Sequence, residues 1–249
     1  MSKTKALVYC SLFTALIAVG AFIRVPIPVL PFTLQYLFTM LAGLLLGPRL
    51  GTISTVAYML LGLAGLPIFT EGGGLWYLFK PSFGYIIGFC GGTFVTGLLA
   101  QRLKKPTVLG YLGANFAGLA VVYVVGMVYY YVICNYVIAS PIGLWPLILY
   151  CCILAIPGDI ALSILAAVVV KRLHDRGKSG LWALLMVLAW MLLAGNWSML
   201  PQVWQWGVGR FVPTLIIVMM LIDLGAFVGT QGENKFGKET QDVRWKADA

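Results

Sequence analysis

Asp159 is the only charged residue between positions 144 and 170, where it closes the tripeptide Pro157-Gly158-Asp159. A helix rises about 1.5 Å per residue and needs about 20 residues to cross the hydrocarbon of a bilayer, so this stretch is long enough. A carboxylate at that depth costs roughly 2.5–3.5 kcal/mol on insertion scales, so such groups face a bundle interior or a cavity and mark solute or ion paths. Two chemistries follow. Ionised, Asp159 accepts hydrogen bonds from a polar solute; protonated, it satisfies backbone groups freed by a kink at Pro157. Acid–base catalysis by Asp159 or Glu71 is the enzymatic alternative, but no second acid or base shares the apolar stretch. No catalytic residue is assigned.

The other reactive side chains point nowhere specific. His174 is the only histidine and lies beside Asp175, yet no nucleophile is spaced to complete a triad, and a hydrogen-bonding role at a helix end fits it better. Cys10, Cys90, Cys134, Cys151 and Cys152 fall in or beside apolar runs without a CxxC or any metal spacing. They read as small packing residues, with neither metal nor disulfide implied. Gly177-Lys178-Ser179 imitates the end of a phosphate loop, but Arg172 occupies the position of the required glycine and no strand precedes it. The chain thus has no ATP site of its own, and no cofactor is expected.

The elements that must position Asp159 are membrane helices. Hydrophobic residues make up 61% of the 249 and charged residues 10%, a balance foreign to soluble domains. Apolar runs predict eight spans, at 6–23, 32–46, 52–66, 83–100, 108–132, 144–170, 181–200 and 206–228, with Pro31 and Pro67 flanking the short second and third. On this topology fourteen basic residues fall on one side and only Arg24 and Lys80 on the other, with Arg210 inside the last span near its outer end, which predicts both termini in the cytoplasm. The net charge of +9 is therefore spread over alternate connections, and nucleic acid is not the expected partner. Lys3 and Lys5 before the first run fit a retained first helix better than a cleaved signal peptide, because many spans follow.

Two connections on the outer side interrupt the helical rhythm. Residues 25–31 carry Pro26, Pro28 and Pro31 and predict a rigid extended turn. Residues 70–81 place Gly72, Gly73 and Gly74 before Trp76, Tyr77 and Phe79, a loop able to fold over a ligand or to anchor at the headgroups. In the first span, Ser11 with Ala15 and Thr14 with Ala18 have the small-xxx-small spacing that permits close helix approach in lipid. Spacing alone leaves open whether that approach is within this chain or to another.

The order of Pro31-Phe32-Thr33-Leu34-Gln35, Leu41-Ala42-Gly43-Leu44-Leu45-Leu46-Gly47-Pro48-Arg49, Tyr58-Met59-Leu60-Leu61-Gly62-Leu63-Ala64-Gly65-Leu66-Pro67, Pro81-Ser82-Phe83-Gly84-Tyr85 and Pro157-Gly158-Asp159 resembles BioY. BioY is the biotin-specific substrate-binding component of energy-coupling-factor vitamin transporters. The resemblance implies a compact six-helix bundle in the bacterial cell membrane with a vitamin pocket toward the outer side. It further implies biotin as ligand and, as partners, a coupling membrane subunit and two ATPase subunits that energise transport. On that reading Asp159 accepts the ureido N–H groups of biotin, while Gln35 and Tyr85 orient the ring. Trp76, Tyr77 and Phe83 supply apolar walls. The Ser11/Ala15 face docks on the coupling subunit, and Arg49, on the cytoplasmic side, anchors a helix end. One departure stands out: Leu162 occupies the position, three residues after the Asp, where the family often has a lysine. Another small vitamin-like solute, or an assembly or structural role in the membrane, are the alternative functions.

A second resemblance covers the rest. Arg172-Leu173-His174-Asp175, Gly177-Lys178-Ser179-Gly180-Leu181-Trp182 and Gly232-Glu233-Asn234-Lys235-Phe236-Gly237 are similar to a bacterial inner-membrane family of unknown function. The expected organisation is therefore an all-α polytopic membrane protein. It comprises a BioY-like substrate-binding domain at 1–171, a two-helix extension at 172–230 and a polar cytoplasmic tail at 231–249.

Overall fold

The computed structural model describes residues 3–25, 32–103, 107–175, 185, 188, 189, 192, 193, 197–199 and 201–225. The proline turn at 26–31, most of the expected seventh span and the polar tail lie outside these residues. By internal contacts the chain divides into Met1–Ala167 and Val168–Ala249.

In the first unit, α1 (Lys3–Phe22) leads to a two-residue antiparallel ladder that pairs β1 (Arg24–Val25) with β2 (Phe32–Thr33). Helix α2 (Gln35–Leu63) is straight only in name. Gly47 adopts φ 80°, a left-handed conformation that glycine enters without steric cost, and the chain reverses there. The reversal brings Gln35 Nε2 within 2.7 Å of the Tyr58 hydroxyl, whereas a continuous helix would separate them by roughly 35 Å. The two arms are the expected second and third spans, with the third beginning at Pro48 rather than at 52. Proline suits this start because the first turn of a helix has no use for its missing N–H.

A short 3₁₀ turn (Leu75–Phe79) precedes α3 (Phe83–Arg102) and α4 (Val108–Val132), and α4 runs on through one π turn, Ile133–Val137. The stretch expected as one helix from 144 to 170 is broken. α5 (Leu144–Ile148) widens into a π turn at Leu149–Ile153, and α6 (Ile156–Asp175) begins afresh after it. Pro157 is the cause: it cannot donate to an earlier carbonyl, so the helix restarts with the proline in its first turn. Backbone bonds mark the joint, from Leu154 to Leu149, Ala155 to Cys152 and Asp159 to Ala155, each 3.0 Å.

Without a hydrophobic force between helices in lipid, close backbone approach and internal hydrogen bonds must hold the unit together. A Cβ on Gly51 would lie 2.8 Å from the Ala42 carbonyl oxygen, and one on Gly97 would lie 2.6 Å from the Pro48 nitrogen. Gly92 meets the Gly118 carbonyl in the same way, and Gly88 meets that of Val122. Buried hydroxyls add rungs: Thr14 reaches the Ser54 carbonyl (3.0 Å), Thr93 that of Thr39 (3.3 Å) and Thr96 that of Ala114 (3.3 Å). Thr14 thus faces inward, while Ser11 and Ala15, on a neighbouring stripe of α1, are exposed. The five cysteines are free, with Cys10, Cys134 and Cys151 buried.

In the second unit, α7 (Gln202–Trp206) continues through a π turn, Gly207–Phe211, into α8 (Val212–Gly225). The α7 to α8 run covers the described part of the expected eighth span, 206–225 of 206–228. Lys171 and Asp175 form an ion pair one turn apart at the end of α6. Among the described residues, six helical stretches are long and apolar enough to cross a membrane, with α2 counted once despite its reversal and α5, its π turn and α6 counted together as Leu144–Asp175.

Candidate functional site

The break before Pro157 decides where Asp159 stands. Instead of the middle of a long helix, it occupies the first turn of α6, where the positive end of the helix dipole favours a carboxylate. Its side chain is buried and lines a cavity of about 80 Å³, well above the ~10–15 Å³ that a single water needs.

Each wall comes from a different element. β2 and the first arm of α2 contribute Thr33, Gln35 and Tyr36. α3 contributes Tyr85, Ile86 and Phe89, of which Tyr85 and Phe89, four residues apart, lie one above the other on one face. α4 supplies Leu119, Val122 and Tyr123, and the start of α6 supplies Ala155 beside Asp159. The loop of three glycines closes the remaining side with Thr70, Tyr77 and Ser82. The lining is a ring of hydroxyls and one carboxylate set on apolar and aromatic surface, the usual make-up of a small-molecule site.

Most of these polar groups are already held by the protein. Tyr123 donates to Asp159 Oδ2 at 2.5 Å. The Tyr85 hydroxyl donates to the Cys151 carbonyl at 3.0 Å and the Tyr36 hydroxyl to that of Asn115 at 2.9 Å. Gln35 is fixed at both ends of its amide, its Nε2 donating to Tyr58 and its Oε1 accepting from Thr33 at 3.2 Å. Tyr58 in turn donates to the Ile68 carbonyl at 3.0 Å. The Tyr77 hydroxyl lies 2.8 Å from that of Thr70 and 3.5 Å from that of Ser82.

Of the residues expected to form the site, the structure brings together Asp159, Gln35, Tyr85 and Tyr77. Trp76 is not among them: it is 83% exposed and packs on Phe79 outside the cavity. Successive residues of a 3₁₀ turn point about 120° apart, so Trp76 and Tyr77 cannot both face inward. Phe83 is buried but stands behind the wall, 6.4 Å from the ring of Tyr77 and 6.0 Å from that of Tyr129. It belongs to an aromatic cluster around Phe69, whose ring lies 4.5 Å from Tyr77 and 5.4 Å from Tyr58. That cluster, with the Tyr129 hydroxyl bonded to the Leu78 carbonyl, seats the loop on the helices. At the loop's edge Glu71 and Lys80 pair at 2.8 Å; the hydrogen bond and the charge of Glu71 raise the Lys80 pKa. Ser11, Ala15 and Arg49 lie away from the cavity, each exposed.

Tyr36, Tyr123, Thr70 and Ser82 escaped the sequence reading. Tyr123 carries a polar tip inside an apolar run, which is a signal, but Tyr129, Tyr130 and Tyr131 follow it and give the same one. Among the described residues no group of three or more His, Cys, Asp or Glu gathers as metal ligands.

The family whose model matches residues 1–179 is described as the BioY family. The chain is similar to "Probable biotin transporter BioY" of Lysinibacillus sphaericus, 42% identical over 172 residues, which are 69% of this chain and 88% of that protein. It is also similar to "Uncharacterized protein YiiR" of Escherichia coli (strain K12), 82% identical over 83 residues; the match takes in 33% of this chain and spans only 57% of that protein's length. Among solved structures it is similar to the "S-component for biotin from an ECF-type ABC transporter", with 32% identity and a TM-score of 0.63, covering 73% of this chain and 98% of the other.

Proposed function

Because this chain belongs to the BioY family, we propose that it takes up biotin as the membrane-embedded substrate-binding component of an energy-coupling-factor transporter. It is a multi-pass protein of the bacterial membrane and not an enzyme. The observation that carries the reading is the cavity itself, lined by four helices, β2 and a loop of the unit that the family covers and holding one carboxylate on an aromatic frame.

Biotin asks for two kinds of wall. Its ureido ring offers N–H donors, which Asp159 accepts in charge-assisted bonds, and its bicycle needs apolar surface, which Tyr36, Tyr85, Phe89 and Leu119 provide. Tyr77, on the loop, forms the cover. Gln35 acts mainly by holding Tyr58 and Thr33 in place, since its amide is engaged by both. A binding unit alone has no engine: concentrating a solute a hundredfold needs about 2.7 kcal/mol from elsewhere. A coupling membrane subunit, meeting the exposed Ser11 and Ala15 face, and two ATPase subunits are the proposed source.

Equilibrium binding of radiolabelled biotin to the purified chain tests the first half of this reading, and liposome uptake tests the second. Saturable binding at one site per chain is expected. Accumulation is expected only when the ATPase module is added. Absence of biotin binding, or concentrative uptake by the chain alone, refutes the assignment.

A further inference from the structure

A buried carboxylate must be compensated, and the usual means is a cation. Among the described residues Asp159 has none. Glu71 pairs with Lys80 and Lys171 with Asp175, and one turn along α6 from Asp159 stands the apolar Leu162. What reaches the carboxylate instead is the hydroxyl of Tyr123, which comes from α4, thirty-six residues earlier. The hydroxyl donates to a carboxylate oxygen, and a hydrogen bond to an ionised acceptor is about twice as strong as a neutral one. Both partners are buried, at 9% and 6% exposure, where a hydrogen bond is electrostatically stronger than in bulk water.

The bond is set by the backbone and not by chance side-chain reach. α4 is locked against α3 where Gly92 meets Gly118 and Gly88 meets Val122, one turn and one residue before Tyr123. On the following turn Gly126 leaves room for the ring of Tyr85, which a Cβ there would approach to 2.6 Å. On the other side, the restart of the helix at Pro157 fixes the first turn that bears Asp159. Two rigid elements thus aim one hydroxyl at one oxygen. Among the described residues nothing but Tyr123 donates to this side chain, Asp159 lines the cavity, and its Oδ1 is not among the fully buried polar atoms that lack a partner.

We infer that Tyr123 is the positioning residue of the binding site: it holds Oδ2 of Asp159, so that Oδ1 is the oxygen presented to a donor on the ligand. This rests on the biotin-binding reading and refines it, since the carboxylate then meets one ureido N–H through a fixed oxygen and does not span both. The gain is preorganisation. A carboxylate already compensated and already oriented pays neither cost again when the ligand arrives.

A double-mutant cycle on the full chain tests this, with biotin dissociation constants measured for wild type, Tyr123→Phe, Asp159→Asn and the double variant. Loss of a hydrogen bond to a charged group predicts binding weaker by about tenfold in Tyr123→Phe and by at least about tenfold in Asp159→Asn. If Tyr123 acts through Asp159, the double variant binds no more weakly than Asp159→Asn alone. A purely structural tyrosine gives effects that multiply, and that result, or unchanged binding in Tyr123→Phe, overturns the inference. Should Tyr123→Phe fail to fold, replacement of Tyr123 by 4-aminophenylalanine keeps a donor at the ring's tip. It is expected to bind within about threefold of wild type, because the donated bond survives, and a tenfold loss there counts against the role. Failure of the wild-type chain to bind biotin is a different outcome, and it removes the functional reading itself.

Discussion

Helix α3 and the run from α7 into α8 are both apolar enough to cross a membrane, yet 56% of the α3 window is buried inside the protein and 17% of the window at Gln202–Met220. The difference lies in what each carries between its large residues. α3 interleaves Gly84, Gly88, Gly92 and Gly97 with Thr93 and Thr96, so neighbouring backbones come close enough to touch and hydroxyls find carbonyls across the contact. The C-terminal run presents Val203, Trp204, Trp206, Phe211, Leu215 and Met219 outward, and a Cβ on Gly207 would meet nothing within 4 Å. Hydropathy alone does not separate these cases. It says that a segment tolerates lipid, while small residues and hydroxyls say that it prefers another helix. The cavity that holds Asp159 lies where the second condition holds.

Substitutions at paired positions sharpen that contrast. The largest effect is expected for Gly97→Leu. Its new side chain would start 2.6 Å from the Pro48 nitrogen and 2.8 Å from the Gly47 carbonyl carbon, contacts that only backbone movement relieves. Overpacking of this kind costs about 1–3 kcal/mol or more. Thermal unfolding in detergent should show a clear drop in midpoint, and a midpoint equal to wild type would falsify the close-packed account of the first unit.

Trp76→Ala separates the loop's outer face from its inner one. Because Trp76 lies outside the cavity, biotin affinity should change by less than about threefold, the scale of a weak peripheral contact. A tenfold loss would mean that the indole reaches the ligand and that the outward placement is not the bound one. The smallest effect belongs to Gly207→Leu. Gly207 has helical dihedrals and open space, and leucine has the better helix propensity by somewhat under 1 kcal/mol. Unfolding midpoint and biotin affinity should both match wild type; a destabilised Gly207→Leu protein would show that the C-terminal run is as tightly covered as α3.

Much of this protein was legible before any coordinates. The membrane class follows from composition, because no water-soluble core absorbs 61% hydrophobic residues. Asp159 announced itself because one charge in an apolar stretch is costly wherever the chain folds. The second and third spans were visible as two short apolar runs flanked by Pro31 and Pro67, and the structure sets the reversal between them at Gly47-Pro48, residues that punctuate helices by their own backbone chemistry.

Other features belong to the tertiary structure alone. Nothing local distinguishes Tyr123 from Tyr129, Tyr130 and Tyr131; only the rotation of α4 against α3 and α6 turns the first toward Asp159 and hands Tyr129 to the Leu78 carbonyl. Trp76 and Tyr77 are equally aromatic neighbours, and the turn of the 3₁₀ segment chose which one lines the cavity. The break between α5 and α6 was half visible in Pro157, but the π turn ahead of it, which places Asp159 at a helix start, depends on how the two segments pack. A sequence records what each side chain is able to do. Which partner it meets is set by helix rotation and contact across dozens of residues, quantities that no local pattern encodes.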